Sequence, residues 1–216
     1  MIEVWPWPAL RTDIAFRHRL LYPHGSGPWG WVRASVLSKG MLVLAVHRVI
    51  WAARVAKVEG RATGRPLGWL AAVGRLVALV VAKAYLANSM RIAPGVWLPD
   101  GGHVVLGALE IGPETVIEPR VTIGMDVVEG GRPRIGRGVW IGSDSLVYGA
   151  ISIGDGATIL PGSVVTRHVP PGAMVSGNPP RLLDTHFDNA ALRATLAHRR
   201  AAAPEQLPGL VEDARQ

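Results

Sequence analysis

ALEIGPETVIEPRVTIGMDVVEGGRPRIGRGVWIGSDSLVYGAISIGDGATILPGSVVTRH, residues 108–168, places an aliphatic side chain at strict six-residue steps. The series runs Ile111, Ile117, Ile123, Ile135, Ile141, Val147, Ile153, Ile159 and Val165, and only Glu129 interrupts it. Because 123 to 135 is still two steps, the segment MDVVEGGRPR (125–134) leaves the pattern and returns in register. The fourth residue after each aliphatic is small or β-branched: Thr115, Val121, Val127, Val139, Ser145, Ile151, Ala157 and Ser163. Glycine follows the aliphatic directly at 112, 124, 136, 142 and 154. Neither the roughly 3.6-residue period of a helix nor the two-residue alternation of a strand yields a period of six. One short strand and one turn per repeat does. The aliphatic then points into a stacked core, and glycine supplies backbone freedom at the corners.

Outward from this stretch, the chain has the composition of a core-forming protein, 49% hydrophobic and 18% charged, and wholesale disorder is excluded. Cysteine is absent, which removes disulfide frameworks, thiolate zinc sites and cysteine nucleophiles. The net charge of +7 is unevenly placed. Residues 1–90 hold 12 Lys/Arg and 3 Asp/Glu, residues 91–181 hold 7 and 8, and residues 182–216 hold 4 and 5. The basic third carries no nucleic-acid-binding motif, so no nucleic-acid partner is expected. The first twenty residues show no basic stretch leading into an apolar run, no secretory signal is read, and a cytoplasmic location is expected.

Two stretches of the basic third, MLVLAVHRVIWAARVAKV (41–58) and GWLAAVGRLVALVVAKAYLA (68–87), carry sparse charges at helical spacing. His47, Arg54 and Lys57 fall on one face, and Arg75 and Lys83 lie near one another. The sequence predicts two amphipathic helices joined by a turn at residues 59–66. The longest charge-free run there, Pro66 to Gly74, is too short for a spanning helix. The apolar faces are expected to pack on the protein's own domain or a sister subunit, with peripheral membrane contact through the basic helices as the other use of such a pair.

The repeat resembles the hexapeptide repeat of the left-handed parallel β-helix, in which three repeats make one triangular coil. VWIGSDSLVYGAISIGDGATILPGSVVTRHVPPGAMVSGNPPRLL (139–183) is similar to the closing coils and exit loop of hexapeptide acyltransferases. The helical layer followed by LPDGGHVVLG (98–107) and GGRPRIG (130–136) resembles serine O-acetyltransferases. The resemblance implies a mainly β fold, a left-handed parallel β-helix preceded by an α-helical layer. It divides the chain into an N-terminal α-helical region (1–90), a β-helix acyltransferase domain (91–183) and a C-terminal helix and tail (184–216). It further implies a homotrimer that moves an acyl group from acetyl-CoA, as donor substrate, to a small-molecule hydroxyl or amine.

Such transfer needs a base near neutrality and donors for the oxyanion. In the family the base is histidine. The gapless match through VVLG puts Asp100 where the family has its catalytic histidine, with His103 three residues later, and Arg132 where the family has its second. Three readings stand open. His103 acts as base, oriented by Asp100. Alternatively, Asp100 is the base and Arg132 holds an anionic substrate or the oxyanion. In the third, the chain is a non-catalytic β-helix that binds or scaffolds. Arg120, Arg132 and Arg134 are the candidates to hold an acceptor carboxylate. By the same resemblance CoA lies along the turns at Gly142, Ser143, Pro161 and Gly162, with Thr166, Arg167 and Arg181 toward its nucleotide phosphates; arginine's planar fork suits phosphate oxygens. His103 is the only histidine between 48 and 167, so no metal site is expected.

Overall fold

The computed structural model describes residues 6–23, 27–35, 38–87, 89–124 and 130–201. Residues 125–129, Val127 among them, and the polar tail beyond Ala201 lie outside the described residues. Four helices come first: α1 (Pro6–Leu21), α2 (Pro28–Ser35), α3 (Lys39–Val58) and α4 (Gly64–Ala82). Short strands follow: β1 (Ala84–Leu86), β2 (Arg91–Ile92), β3 (Val104–Leu106), β4 (Glu110–Ile111), β5 (Val116–Ile117), β6 (Thr122–Gly124) and β7 (Arg134–Ile135). The series continues with β8 (Trp140–Ile141), β9 (Leu146–Tyr148), β10 (Ser152–Ile153), β11 (Thr158–Ile159), β12 (Val164–Val165), β13 (Met174–Ser176) and β14 (Arg181–Asp184). Helix α5 (Ala190–Ala201) closes the described chain.

Strands two or three apart in the order pair in parallel, giving three sheets around one axis. The first is β1-β3-β6-β9-β12, the second β2-β4-β7-β10, and the third β5-β8-β11-β13 with β14 added antiparallel at its end. This is the left-handed parallel β-helix, preceded by an α-helical layer. Arg134 pairs with Ser152, eighteen residues on, whereas Val116 pairs with Trp140, twenty-four on. The segment after Ile123 therefore adds one whole six-residue step and preserves the register, as the spacing required. All nine aliphatics of the series are 0–2% exposed and form a single column of core. The residues four places on, Thr115, Val121, Val139, Ser145, Ile151, Ala157 and Ser163, are buried with them.

The corners work differently from the sequence expectation. Gly112, Gly136, Gly142 and Gly154 are absent from the left-handed positions; a Cβ at Gly142 would stand 2.6 Å from the Pro161 nitrogen, and one at Gly154 2.4 Å from that of Pro171. These glycines are needed because the next coil lies against them. Left-handed backbone falls instead at Gly102, Arg120, Asp144 and Gly162 in one corner column and at Gly95, Glu114, Gly138, Gly156 and Gly172 in another.

The three outer faces differ. On the second sheet Arg91, Glu110, Arg134 and Ser152 point outward as an exposed polar row. The third sheet is covered: Trp97, Val116 and Trp140 are buried with Phe16 of α1 and Leu196 of α5. The α5 segment packs on its own chain, where Arg193 donates to the carbonyls of Glu114 (2.7 Å) and Gly138 (2.6 Å). The first sheet presents Val105, Thr122, Leu146 and Val164, half-buried, and Tyr85, exposed.

Helices α1 and α3 are fastened to the first coil by buried charge. Asp13 faces Arg48 across two bonds of 3.1 Å and accepts from the Gly95 N–H at 2.7 Å. Burial pushes the Asp13 carboxyl up, against the pull of Arg48 and the Gly95 amide. Arg48 also donates to the Ala93 carbonyl at 3.0 Å. His47, expected on a polar face, is buried and donates Nε2–H to the Met90 carbonyl at 3.1 Å; burial, then the charge of Arg48, lowers its pKa to about 4. The predicted second helix stops at Ala82, where Lys83 turns left-handed (φ 51°), and the last residues of that apolar stretch become β1.

Candidate active site

The corner that joins the third sheet to the first carries most of the candidate residues. In the first coil it is the turn Pro99 to His103, in the second Pro119 and Arg120, in the third Ser143 and Asp144, in the fourth Pro161 and Gly162. Backbone bonds stack them: Arg120 N–H donates to the His103 carbonyl (2.9 Å), Asp144 to Pro119 (3.2 Å) and Gly162 to Ser143 (2.8 Å).

His103 is exposed on this column. Above it Arg120 grips Asp144 with two parallel bonds, Nε to Oδ1 at 2.5 Å and Nη2 to Oδ2 at 2.6 Å. The hydrogen bonds from Arg120 hold the Asp144 carboxyl below its ordinary range, and the positive charges of Arg120 and His103 add to the effect. His103 thus stands within electrostatic reach of a carboxylate, and that carboxylate is Asp144. Both Arg120 and Asp144 adopt left-handed backbone, φ 60° and 61°, a conformation that side chains with a Cβ adopt at some cost. Arg120 Nη1 makes no hydrogen bond among the described residues.

Asp100 occupies the same turn and faces the other way. It accepts from Arg17 of α1, from Ser38 Oγ at 2.6 Å and from the Gly40 N–H at 3.2 Å. Ser38 is the N-cap of α3 and accepts in turn from the Met41 N–H at 3.0 Å. An anion at a helix N-terminus satisfies orphan N–H groups and meets the positive end of the helix dipole. The Asp100 carboxylate is therefore the anchor between α1, α3 and the first coil; it shares no hydrogen bond with His103 among the described residues.

Arg132 sits at the next corner, between the first and second sheets. Its Nε donates to the Gly107 carbonyl at 2.7 Å, and its two remaining nitrogens to Ala108 and Ser89. The guanidinium clamps the end of the first coil.

On the CoA side, Gly142 is buried under Pro161, while Pro161 and Gly162 are exposed. Ser143 lends both its N–H (2.9 Å) and hydroxyl (3.0 Å) to Glu118, a carboxylate only 2% exposed. Thr166 and Arg167 lie past β12, at the opposite edge of the first sheet, and Arg167 is exposed. Arg181, exposed, begins β14. His168 is fixed, its Nδ1 accepting from the Ser152 N–H at 3.0 Å. The structure thus gathers His103, Arg120, Ser143, Pro161 and Gly162 on one corner, sets Thr166 and Arg167 across a single sheet from them, and turns Asp100 and Arg132 into the fold. Asp144 and Glu118 were missed by sequence reasoning. The register that carries Val116 to Trp140 also carries Arg120 to Asp144, so the coil spacing held the signal for Asp144. Among the described residues no three His, Asp or Glu side chains cluster as a metal site.

Comparison with known proteins agrees with this architecture. Residues 132–167 match the family model "Bacterial transferase hexapeptide (six repeats)". Serine acetyltransferase 2 of Arabidopsis thaliana is 40% identical over 96 residues, 43% of this chain and 30% of that protein. A chloramphenicol acetyltransferase of Agrobacterium fabrum is 40% identical over 62 residues, 29% of this chain and 30% of that protein. The chain thus spans about a third of the length of these curated relatives. The soybean serine acetyltransferase apoenzyme superimposes with a TM-score of 0.62 and 28% identity, over 82% of this chain and 69% of that one. The chain is thus similar to hexapeptide-repeat proteins, and to serine O-acetyltransferases among them, in sequence and backbone.

Proposed function

We propose that this chain is an acyl-CoA-dependent acyltransferase, most simply an acetyltransferase, acting on a hydroxyl or amine of a small molecule in the cytoplasm as a homotrimer. The observation that carries the proposal is that two relatives named for different acceptors, serine and chloramphenicol, match this chain at 40% identity over 96 and 62 residues. What is common to both names is acetyl transfer; what differs is the acceptor.

The geometry supports the assignment of roles. His103 takes the proton of the acceptor as its oxygen or nitrogen attacks the thioester carbonyl, and returns it to the departing CoA sulfur. Asp144, held by Arg120, lies within electrostatic reach of the imidazolium that forms in between. Nη1 of Arg120 is available to the oxyanion or to an anionic group of the acceptor. Pro161 and Gly162 give the pantetheine arm a flat corner to lie on, and Arg167 and Arg181 offer forks to the nucleotide phosphates. The apolar outer face of the first sheet, bordered by both the His103 and the Arg167 corners, suits a neighbouring subunit that closes the site.

A non-catalytic scaffold is the second reading, favoured by the commitment of Asp100 and Arg132 to structural bonds. Calorimetric titration with acetyl-CoA, followed by a free-thiol assay with serine and a panel of sugars and amines, separates the two. Under the enzyme reading His103→Ala lowers turnover at least about 100-fold with CoA affinity unchanged. Arg167→Ala weakens CoA binding by about 1.5 to 3 kcal/mol. Turnover that survives His103→Ala removes the histidine from the mechanism, and absence of CoA binding by a folded protein establishes the scaffold.

A further inference from the structure

Helix α4 has two faces of opposite character. Ala71, Ala78 and Ala82 are buried, and a Cβ on Gly74 would reach Val46 of α3 at 3.3 Å, so a stripe of small residues seats the helix on α3. The opposite face is apolar and uncovered: Trp69 is 78% exposed, Leu70 56%, Val73 55%, Leu76 62%, Leu79 52% and Val80 67%. A helix facing water carries polar residues there, and a contiguous apolar patch of this kind marks an interaction surface. With 19 residues and a mean hydropathy of 1.5, α4 is long and apolar enough to cross a membrane, yet the small-residue seat on α3 and the direct run through Lys83 into β1, paired with β3, hold it along the protein. It presents one side.

The rim of that side identifies what covers it. No acidic residue occurs between Glu59 and Asp100. Lys57, Arg61 and Arg65 stand where α3 turns into α4, lining with Trp69 an open depression of about 990 Å³, and Lys83 stands at the other end. Of these four, Arg61 alone has an ion-pair partner among the described residues, Glu59 at 2.8 Å. Trp69 and Tyr85, the latter 58% exposed, flank the apolar face near its two ends. A second copy laid on this face would bring basic rims together. Phosphodiester headgroups supply the anions the rim lacks, above an acyl layer that accepts the apolar side chains. We propose that α4 docks the protein on the surface of an anionic lipid bilayer, with Trp69 to Val80 in the headgroup–acyl boundary and Lys57, Arg65 and Lys83 on phosphates.

The test is co-sedimentation of the full chain with phosphatidylcholine vesicles, with and without phosphatidylserine. Binding at least about tenfold tighter to the phosphatidylserine vesicles, weakening with salt, is expected. Lys57→Ala with Arg65→Ala costs about fivefold per charge removed. Leu76→Glu with Val80→Glu, both on the exposed face and checked for native folding by circular dichroism, abolishes binding. Equal binding of parent and Leu76→Glu/Val80→Glu overturns the proposal, as does failure to bind either vesicle. Loss of solution mass by that variant, with no vesicle binding by the parent, overturns it in favour of a second copy on this face.

Discussion

Asp100→Asn separates an anchor from a base. The carboxylate receives three donors, Arg17 from α1, Ser38 Oγ and the Gly40 N–H at the start of α3. Asparagine is isosteric and can still accept from Ser38 and Gly40, but it loses the charge opposite Arg17 and offers that guanidinium a donor. Arg17 is 2% exposed and keeps the Leu98 carbonyl at 2.8 Å and the Trp97 ring at 5.5 Å. Removing one partner of a fully buried pair costs about 3 to 5 kcal/mol. Asp100 is 46% exposed, and water screens its share, so about 2 kcal/mol is expected. For a chain of this size that lowers the melting temperature by about 4 to 8 °C. Arg17→Ala, which breaks the same contact from the other side, should melt at a similarly lowered temperature. Turnover of both variants, measured well below the transition, should stay within about threefold of the parent, because neither side chain meets the reacting atoms. If Asp100 were the base, turnover would fall by about 10² to 10⁴. Unchanged melting with collapsed turnover in Asp100→Asn refutes the anchor.

Two further outcomes follow from the burial of particular groups. The folded-state pKa of His47, lowered to about 4, lies below its unfolded value of 6.5, so its contribution is present above pH 6.5 and is lost as pH falls toward 4. Between pH 7 and 4.5 that amounts to about 2 kcal/mol, read from urea unfolding, and His47→Gln should flatten the dependence by that amount; parallel loss in parent and variant contradicts the assignment. Gly142→Ala, with its new Cβ 2.6 Å from the Pro161 nitrogen, should cost about 1 to 3 kcal/mol, whereas Gly162→Ala, with open space but φ +72°, should cost about 1 kcal/mol. A Gly162→Ala variant that melts below Gly142→Ala reverses the argument that contact, rather than backbone freedom, dictates glycine at 142.

The β-helix was legible because a period of six is a direct physical statement: Ile111 to Val165 all point inward and all reach 0–2% exposure. The job of each glycine was not, since spacing fixes which residue points inward without fixing φ. Gly142 and Gly154 looked like hinges and are spacers, while the left-handed corner positions are taken in part by Glu114, Arg120 and Asp144. Helix α1 gave no periodic signal, yet it supplies Asp13, Phe16 and Arg17, each buried. The meaning of Asp100 was hidden for the same reason. Its principal partner lies 83 residues earlier in the chain, and no local pattern links the two.

Charge in this molecule serves two different tasks, and the division supports the proposed site. Asp13 and Arg48, Arg17 and Asp100, Arg132 on Gly107, and Arg193 on Gly138 all join an element to a coil across long stretches of sequence. Each ends on backbone carbonyls or on a partner inside the protein, and any acceptor that recruited one of them would have to break the fold. His103, the Arg120–Asp144 pair and Arg167 hold nothing of that kind. They stand exposed at the two edges of the first sheet, whose outer face carries neither the polar row of the second nor the helical cover of the third. Arg120 sits in a left-handed turn, and its ion pair with Asp144 is half exposed on both sides, so a surface pair offsets only part of the cost of that backbone. Under the proposed acyl transfer, that is the physical ground for placing the reaction beside Arg120 and not beside Asp100.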